Sequence, residues 1–251
     1  LRNIGMFDTI YHPGYLSDSD VSLKLWKAGL KCVDVPEENA QKKYVDGVFQ
    51  IHFPVVHTGE VKTMDKDKDR DIIVKNMEIL KSRYLKLPAT QPAAPTQPKK
   101  DPMEYSIVIP TYNHCDDLLK PCIDSIIQYS TLKNTEIIVV ANGCTDGTRA
   151  YVESLQQSGL DVKLIWSDEA LGYTIATNLG IKIATGKYIV LLNNDTLLLT
   201  QDPDYWLYTL AAPLKDPNVG LSGPLELYDH YANYPVLIFF CVMIRRDVFD
   251  K

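Results

Sequence analysis

Between residues 103 and 251, short apolar runs alternate with stretches in which apolar residues recur at helical spacing. The apolar runs, which predict strands buried on both faces of a sheet, are Tyr105–Pro110, Glu136–Val140, Val162–Trp166 and Tyr188–Leu192. The stretches with helical spacing predict helices over Asp116–Tyr129, Thr148–Ser158 and Thr174–Ala184. Repeated strand–helix–strand units of this kind indicate an α/β fold with a doubly wound, mostly parallel sheet and helices on both faces.

Residues 1–84 carry a sparser pattern. The predicted elements are helices over Asp18–Ala28 and Asp71–Tyr84 and strands over Lys31–Val35 and Val48–Phe53. Gly29 suits the C-terminal cap of the first helix, and the Lys- and Asp-rich run Lys62–Arg70 predicts a solvated loop. Two short strands and two helices bury too little apolar surface to be stable alone, so we expect this part to pack against residues 103–251.

Residues 85–102 separate these two parts. Proline recurs there among small and polar residues without apolar periodicity, which predicts a semi-extended linker. The longest apolar stretch of the chain, Pro235–Ile244, is far shorter than the ~20 residues that span a bilayer. It therefore predicts a buried strand and no membrane span. No signal peptide opens the sequence, because polar Arg2, Asn3 and Asp8 interrupt its first residues.

Composition narrows the classes of function. The chain has 251 residues and a formal net charge of -6, which argues against nucleic-acid binding as the main task, because that task usually needs a basic surface. The five cysteines are odd in number and show no CxxC spacing, so a structural zinc site or a disulfide framework is not expected. Reduced thiols in a cytoplasmic protein are the interpretation we adopt.

Polar residues follow the predicted strand Tyr188–Leu192, namely Asn193, Asn194 and Asp195. Ligands of parallel sheets bind beyond the carboxyl ends of the strands. Hard cations such as Mg²⁺ and Mn²⁺ take carboxylate oxygens and bridge them to phosphates. Asp195 is therefore a candidate metal ligand, although an Asn- and Asp-rich turn without function fits the same residues.

Three further segments bring small and hydrogen-bonding residues to strand ends or to the start of a helix. They are Ser106–Asn113, Val139–Thr148 and Leu171–Gly180. The loops after Pro110, Val140 and Leu192 should share one cleft, because they follow parallel strands of one sheet. Taken singly, each segment fits an ordinary turn or loop at least as well as a binding site.

Taken together, these four segments resemble, in order and spacing, the nucleotide-binding half of the family 2 glycosyltransferases, which have the GT-A fold. The motifs are P-T-Y-N at 110–113, A-N-G-C-T-D-G-T at 141–148, L-G-Y-T-I-A-T-N-L-G at 171–180 and L-N-N-D-T at 192–196. Val219–Pro224 and Cys241–Phe249 extend the resemblance. It implies an enzyme that transfers a sugar from a nucleoside-diphosphate sugar to a hydroxyl acceptor (a glycan, a glycoconjugate or a protein), with inversion and with Mn²⁺ or Mg²⁺.

The order of the motifs along the chain is reversed. Ile4–Asp8, Gly14–Lys24 and Val55–Gly59 resemble later segments of the same family: G-x-F-D-E, Y-x-E-D-x-D-L-x-x-R and V-x-H-x-G. By this resemblance, 1–84 is the C-terminal part with the acceptor site and the catalytic base, and 103–251 is the N-terminal, nucleotide-sugar-binding part. A circular permutant and a piece cut from a tandem array fit equally well. The halves could complete one domain within one chain or by swapping with a neighbour.

The resemblance also implies roles for individual residues. Asp18 would be the general base, although helix capping is an alternative use of that carboxylate, and Asp20 would support the structure. Asp195 and His57 would hold the metal, with His52 as the rival of His57. The nucleotide contacts would come from Thr111, Tyr112, Asn113, Asn142, Asp146, Gly172, Asn178, Asn193 and Asn194.

Several positions depart from the family pattern. Asn142 and Ala141 stand where acidic residues are frequent, and since the acidic residue at the Asn142 position accepts from a uracil N–H in many relatives, the choice of nucleobase stays open. Ser17 replaces the frequent Glu before the catalytic base, which removes one charge beside Asp18. Phe239 and Phe240 stand where small residues are frequent, and this predicts a narrowed or apolar acceptor pocket. Aromatic residues that could stack on sugars are Trp206, for which core packing is the alternative, and those of the loop Tyr228–Tyr234.

Other classes of function remain as alternatives. The departures from the family pattern also agree with a catalytically silent domain. Such a domain would bind a sugar nucleotide or support a larger glycosyltransferase. A Rossmann dehydrogenase or methyltransferase is disfavoured, because no GxGxxG motif follows the first strand of residues 103–251. A nucleotidyltransferase would show a Gly-rich loop with Lys or Arg after that strand, where this chain has Thr111–Cys115.

Overall fold

The computed structural model describes residues 5–11, 17–35, 43–45, 48–50, 55–57, 66–84, 105–224, 226–229 and 234–249. The helices are α1 (Ser17–Lys27), α2 (Lys66–Tyr84), α3 (Lys120–Tyr129), α4 (Thr148–Gln157), α5 (Tyr173–Ile183) and α6 (Tyr205–Ala211). The strands are β1 (Lys31–Asp34), β2 (Lys43–Val45), β3 (Val48–Gln50), β4 (Val55–His57), β5 (Tyr105–Thr111), β6 (Thr135–Asn142), β7 (Val162–Ser167), β8 (Tyr188–Leu192), β9 (Thr196–Leu198), β10 (Val219–Gly223), β11 (Glu226–Asp229), β12 (Tyr234–Leu237) and β13 (Cys241–Arg245). A π-helical turn, Cys115–Leu119, leads into α3. Short 3-10 turns cover Thr9–Tyr11, Pro213–Lys215 and Arg246–Val248.

Seven of these strands form one sheet in the order β1-β10-β13-β8-β5-β6-β7. The neighbours β8, β5, β6 and β7 are parallel, as the repeated strand–helix units predict. Strand β13 runs antiparallel to both of its neighbours. Strand β1 lies parallel to β10, with Cys32 opposite Leu221 and Asp34 opposite Gly223. Residues 1–84 therefore contribute a strand to the sheet of residues 103–251, and the expected packing of the two parts is confirmed.

The core has two layers because successive residues of the central strands point to opposite faces of the sheet. On β5, Ile107 and Ile109 belong to the apolar cluster that includes residues of α3, while Val108 belongs to the cluster on the opposite face. Helix α5 lies directly on that second face: a Cβ on Gly180 would stand 2.3 Å from Val108 Cγ1. The strands are buried on both faces, which explains their unbroken apolar runs.

A buried polar cluster ties together the amino ends of the central strands, at the edge of the sheet opposite the predicted ligand sites. Glu136 on β6 is 4% exposed. It accepts hydrogen bonds from Ser106 Oγ at 2.6 Å and Thr185 Oγ1 at 2.7 Å, and it forms an ion pair with Lys163. Burial raises the pKa of this carboxyl, but the Lys163 ammonium and the hydrogen bonds outweigh it and lower the pKa to about 2. Glu136 is thus a charged residue with hydrogen-bond partners that connects the amino ends of the central strands.

Two predicted elements differ from the structure. Helix α2 begins at Lys66, so the loop predicted over Lys62–Arg70 is wrong from Lys66 onward. Lys and Arg are good helix formers, and opposite charges three residues apart in this run favour a helix. The single strand predicted over Pro235–Ile244 is two strands, β12 and β13, separated by a turn. The residues of the turn, Ile238, Phe239 and Phe240, are as apolar as the strands beside them, so the sequence pattern does not reveal the turn.

Two further features concern the described helices and the cysteines. In the part of the chain that the structure describes, no helix is both long and apolar enough to cross a bilayer. All five cysteines lie among the described residues, where they are buried and form no disulfide.

Candidate functional site

The carboxyl ends of β5, β6 and β8 meet at one edge of the sheet, which we call the ligand edge. Thr111, at the end of β5, is the Cα partner of Ala141 on β6. Asn194, just beyond β8, donates from Nδ2 to Thr111 Oγ1 at 3.0 Å. The loops after these three strands are therefore in contact, as the parallel sheet predicts.

The loop after β5 has a constrained backbone that the loop after β6 supports. Asn113 and His114 have φ values of 55° and 59°, a left-handed region that residues other than glycine seldom adopt. Asn113 Oδ1 accepts the Thr145 N–H at 2.8 Å, and the Asn113 N–H donates to Cys144 Sγ at 3.2 Å. Tyr112 is 56% exposed. The Asn113 side chain thus joins two loops, and Tyr112 presents its ring to solvent.

Asp146 also holds these loops together. Its Oδ2 accepts the Cys115 N–H at 2.8 Å, and its Oδ1 accepts Thr148 Oγ1 at 2.6 Å. Burial raises the pKa of Asp146, but the hydrogen bonds from Thr148 and Cys115 outweigh it and lower the pKa. The carboxylate therefore shapes the start of α4, and its predicted nucleotide contact stays a prediction.

A third loop, before α5, closes against the loop after β6. Asn142 is 7% exposed, and its Oδ1 accepts the Leu171 N–H. Gly143 has a φ of 79°, and a Cβ there would stand 2.7 Å from Ala170 N. Gly172, with a φ of 77°, is the N-cap of α5. Both glycines occupy left-handed conformations that favour this residue, and Gly143 also permits the close contact of the two loops.

The turn between β8 and β9 carries the candidate metal ligands. The Asn193 N–H donates to Phe240 O at 2.8 Å, and the Thr196 N–H donates to Asn193 O at 3.2 Å. Asn193 Oδ1 is buried without a hydrogen-bond partner in the described part of the chain, and Asp195 Oδ1 is buried as well. Strand β4 pairs with β9 so that His57 lies opposite Thr196. The backbone of His57 is thereby brought beside the turn that contains Asp195.

Asp18 lies in the first turn of α1, where its Oδ1 accepts the Ser19 N–H at 2.8 Å. The charges of the Asp18 and Asp195 carboxylates both affect the pKa of the Tyr173 phenol. Burial is the largest cause of the raised pKa of Tyr173, and the charges of Asp18 and Asp195 raise it further. The predicted base and the predicted metal ligand, from the two parts of the chain, thus both lie near enough to the start of α5 for their charges to act on Tyr173.

Sequence reasoning missed Tyr173 and Phe7 as parts of this site. The Tyr173 hydroxyl donates to Phe239 O at 3.3 Å. Phe7 packs edge-on against the Tyr173 ring, with centroids 6.3 Å apart. The Phe7 N–H donates to Asn178 Oδ1 at 2.9 Å, and Asn178 Nδ2 donates to Phe7 O at 2.7 Å. Asn178 thus joins the two parts of the chain, and its predicted nucleotide contact stays a prediction.

Three aromatic residues singled out in the sequence lie in the core. Phe239 and Phe240 are 5% and 7% exposed, and the Phe239 ring packs edge-on against Phe7 at 5.7 Å. Phe239 thus packs beside the residues that surround Tyr173, and the expectation that these two rings narrow an acceptor pocket stays a prediction. Trp206 is 0% exposed and donates from Nε1 to Ser130 Oγ at 2.9 Å. Core packing, the alternative considered for Trp206, is therefore its role. The side chains of Tyr228–Tyr234 lie outside the described residues.

The residues of the β8–β9 turn fit a hard divalent cation. Asn193 Oδ1 is an acceptor oxygen with no hydrogen-bond partner among the described residues, and amide and carboxylate oxygens are ligands that Mg²⁺ and Mn²⁺ accept. Among the described side chains, no three of His, Cys, Asp and Glu lie together in a metal-binding group. The side chain of His57 and all of His52 lie outside those residues. Mg²⁺ in proteins is commonly bound by one or two carboxylates together with the phosphates of a substrate.

Comparison with known proteins gives consistent matches. The sequence profile of the family described as "Glycosyl transferase family 2" matches residues 106–233, which is half of the chain. The O-antigen biosynthesis protein RfbC of Myxococcus xanthus is 30% identical over 129 residues, which are 50% of this chain and 10% of that protein. The UDP-Glc:alpha-D-GlcNAc-diphosphoundecaprenol beta-1,3-glucosyltransferase WfaP of Escherichia coli is 33% identical over 129 residues, 51% of this chain and 45% of that protein.

Among solved structures, this chain is similar to one described as "Mannosyltransferase PcManGT from Pyrobaculum calidifontis in complex with GDP-Man and Mn2+". The TM-score is 0.49 at 22% sequence identity, with 69% of this chain and 53% of that chain covered. The chain thus spans only part of the relatives and of the structure that it matches.

Proposed function

Because the chain belongs to glycosyl transferase family 2, we propose that it transfers a sugar from a nucleoside-diphosphate sugar to a hydroxyl group of a glycan or glycoconjugate, with inversion at the anomeric carbon. The observation that carries this proposal is that Asp18, in the first turn of α1, and Asp195, in the turn after β8, both lie near the start of α5, where their charges raise the pKa of Tyr173. A single displacement requires a base on one side of the sugar and charge stabilisation on the other. The two carboxylates supply candidates for both.

Asp18 is the proposed general base. Its carboxylate takes the proton of the acceptor hydroxyl while that oxygen forms the bond to the anomeric carbon, and the bond to the diphosphate breaks. The Ser19 N–H bonded to Asp18 Oδ1 orients the carboxylate. A negative charge at its place in the first turn of a helix interacts favourably with the helix dipole.

The turn between β8 and β9 is the proposed site of Mn²⁺ or Mg²⁺. Asp195 and His57 would hold the ion, with Asn193 as a further oxygen ligand or a ribose contact. The ion would neutralise charge that develops on the departing diphosphate. Supporting this assignment are the buried oxygens of Asn193 and Asp195 and the pairing of His57 with Thr196.

The nucleotide is proposed to lie across the ligand edge. Tyr112, 56% exposed, offers an aromatic face to a base. Thr111, Asn142, Gly172 and Asn194 line the same loops, where backbone N–H groups and amides can hold ribose and phosphate. Among these side chains, the Asn142 carbonyl oxygen already accepts the Leu171 N–H. The Asn142 side-chain NH₂ group can donate, which favours an acceptor group of the nucleotide.

Residues 1–84 and 103–251 are proposed to be the two parts of one catalytic domain in swapped order, joined through the linker 85–102. The parallel pairing of β1 with β10 and the Phe7–Asn178 hydrogen bonds support completion within a single chain. A circular permutation or a tandem neighbour would both produce this order, and the same contacts could form between two copies by swapping.

A second candidate function is a silent domain that binds a sugar nucleotide or supports a larger glycosyltransferase. The observation that favours it is the use of Asn113, Asp146 and Asn178 in contacts within the protein. Such a domain would bind a nucleoside diphosphate without turning over the donor.

A turnover assay separates these functions. The chain is incubated with UDP-glucose, UDP-N-acetylglucosamine or GDP-mannose and Mn²⁺, and the released UDP or GDP is measured with and without simple sugars as acceptors. The proposal predicts release from one donor that Asp18→Asn suppresses by about 100-fold or more. Equal release by wild type and Asp18→Asn would contradict the role of Asp18, and binding without any release would favour the silent domain.

A further inference from the structure

The first turn of α1, which carries Asp18, is tied to the last turn of α2 by a single cation. Arg83 Nη1 lies 2.8 Å from Asp8 Oδ2 and 3.4 Å from Asp20 Oδ1. Asp20 stands two residues after Asp18, and its side chain is fully buried. One guanidinium therefore connects the turn of the proposed base to the segment before it and to a helix that lies far away in sequence.

The surroundings of Asp20 make this connection specific. The Tyr11 hydroxyl donates to Asp20 Oδ1 at 3.0 Å, and Lys24 Nζ lies 2.8 Å from Asp20 Oδ2. The Arg83 guanidinium also lies over the Tyr11 ring, 5.5 Å from its centroid. A buried carboxylate is tolerated only with such partners, and the removal of one of them is strongly destabilising locally. Asp20 thus depends on Arg83, Tyr11 and Lys24 together.

Asp8 extends the contact to the site itself. Asp8 follows Phe7 in sequence. Asn178 forms a hydrogen bond with the backbone of Phe7, and the Phe7 ring packs against Tyr173. Arg83 therefore bridges the two segments of residues 1–84 that approach Tyr173, one through Asp8 and the other through Asp20.

We propose that Arg83 is a positioning residue for the catalytic base: it fixes the first turn of α1 against residues 7–11, so that Asp18 faces the acceptor hydroxyl. The inference rests on the proposed role of Asp18. A displacement of a reacting group by about 1 Å can lower a rate by about 100-fold. We therefore expect Arg83→Ala to lower kcat by about 10- to 100-fold. The affinity for the nucleoside diphosphate should stay the same, because the described contacts of Arg83 are with Asp8, Tyr11 and Asp20 and lie in residues 1–84.

The kinetic test compares Arg83→Ala and Arg83→Lys with Lys75→Ala, which removes an exposed cation from the same helix. Release of UDP or GDP from the active donor gives kcat, and calorimetry gives the diphosphate affinity. Arg83→Lys should regain part of the lost kcat, and Lys75→Ala should retain it fully. In an Asp18→Asn background, Arg83→Ala should change the residual rate by less than about twofold, because the group it positions is absent.

Amide hydrogen exchange of the full chain supplies a readout that does not depend on activity. Arg83→Ala should speed exchange in peptides covering residues 17–24 at least tenfold, while peptides from β6 exchange as in wild type. Unchanged exchange at 17–24, or full kcat in a folded Arg83→Ala variant, would overturn the inference. A wild type that releases no diphosphate from any donor would instead refute the proposed function, and the exchange result would still show whether Arg83 orders this turn.

Discussion

The buried carboxylate of Glu136 makes the stability of the fold depend on pH in a defined window. Its pKa is about 2 in the folded protein, against a model-peptide value of 4.5. The folded-state value is lowered, so the contribution to stability is fully present above pH 4.5 and is lost as the pH falls toward 2. One pKa unit corresponds to about 1.4 kcal/mol, so this shift corresponds to about 3 kcal/mol.

The perturbation that tests this value is Glu136→Gln, which removes the charge and leaves a side chain of similar size. Lys163 then loses its partner, and the hydrogen bonds from Ser106 and Thr185 are no longer charge-assisted. We expect the variant to be less stable by about 3 kcal/mol at pH 7 and to lose less stability than wild type on acidification. Glu153→Gln, an exposed glutamate of α4, is the matched control.

The assay is urea unfolding followed by tryptophan fluorescence at pH values from 7 to 2.5, since Trp206 is fully buried and reports on the core. The free energy of unfolding of wild type and of Glu153→Gln should fall together below pH 4.5. The reasoning would be refuted if Glu136→Gln matched wild type at pH 7, or if it lost stability on acidification as steeply as wild type does.

Three further predictions concern packing and the base. Gly180→Ala places a Cβ 2.3 Å from Val108 Cγ1 and should lower stability by about 1–3 kcal/mol; an unchanged urea midpoint would show that α5 can move away from the sheet. Trp206→Phe removes the hydrogen bond to Ser130 and part of a filled volume, and it should lower the free energy of unfolding by about 1–3 kcal/mol, whereas a free energy of unfolding equal to wild type would show that these contacts do not stabilise the fold. Asp18→Asn should lower the transfer rate by about 100- to 10,000-fold while calorimetry finds the same diphosphate affinity, and a weakened affinity would instead mark Asp18 as a donor-site residue.

The sheet of residues 103–251 was predictable because its signals are local. Strands such as Tyr188–Leu192 are buried on both faces, and their continuous apolar runs record that burial directly. A continuous apolar run did not predict the strands correctly over Pro235–Ile244. There, a turn without polar residues separates two strands that follow each other in sequence. The predicted helix is shorter than α2, because the charged residues at its start are as typical of a solvated loop as of a helix.

The candidate site was predictable only in part, because its key contacts are long-range. Asn193, Asn194 and Asp195 follow a predicted strand, and the place of the ligand edge follows from the parallel sheet. The contact of Phe7 with Tyr173 and the ion pairs of Arg83 join segments with no shared local pattern. The edge-on packing of Phe239 against Phe7 also joins residues that are far apart in sequence, so no local pattern indicates that Phe239 is buried.

The central claim is that the ligand edge binds a nucleoside diphosphate with a divalent cation held at the β8–β9 turn. The most direct measurement is calorimetric titration of UDP, dTDP and GDP, with and without Mn²⁺, into wild type and Asp195→Ala. We predict binding of one diphosphate that requires Mn²⁺ and is lost in Asp195→Ala. No binding of any diphosphate to the folded wild-type chain, or binding that neither Mn²⁺ nor Asp195 affects, would contradict the account.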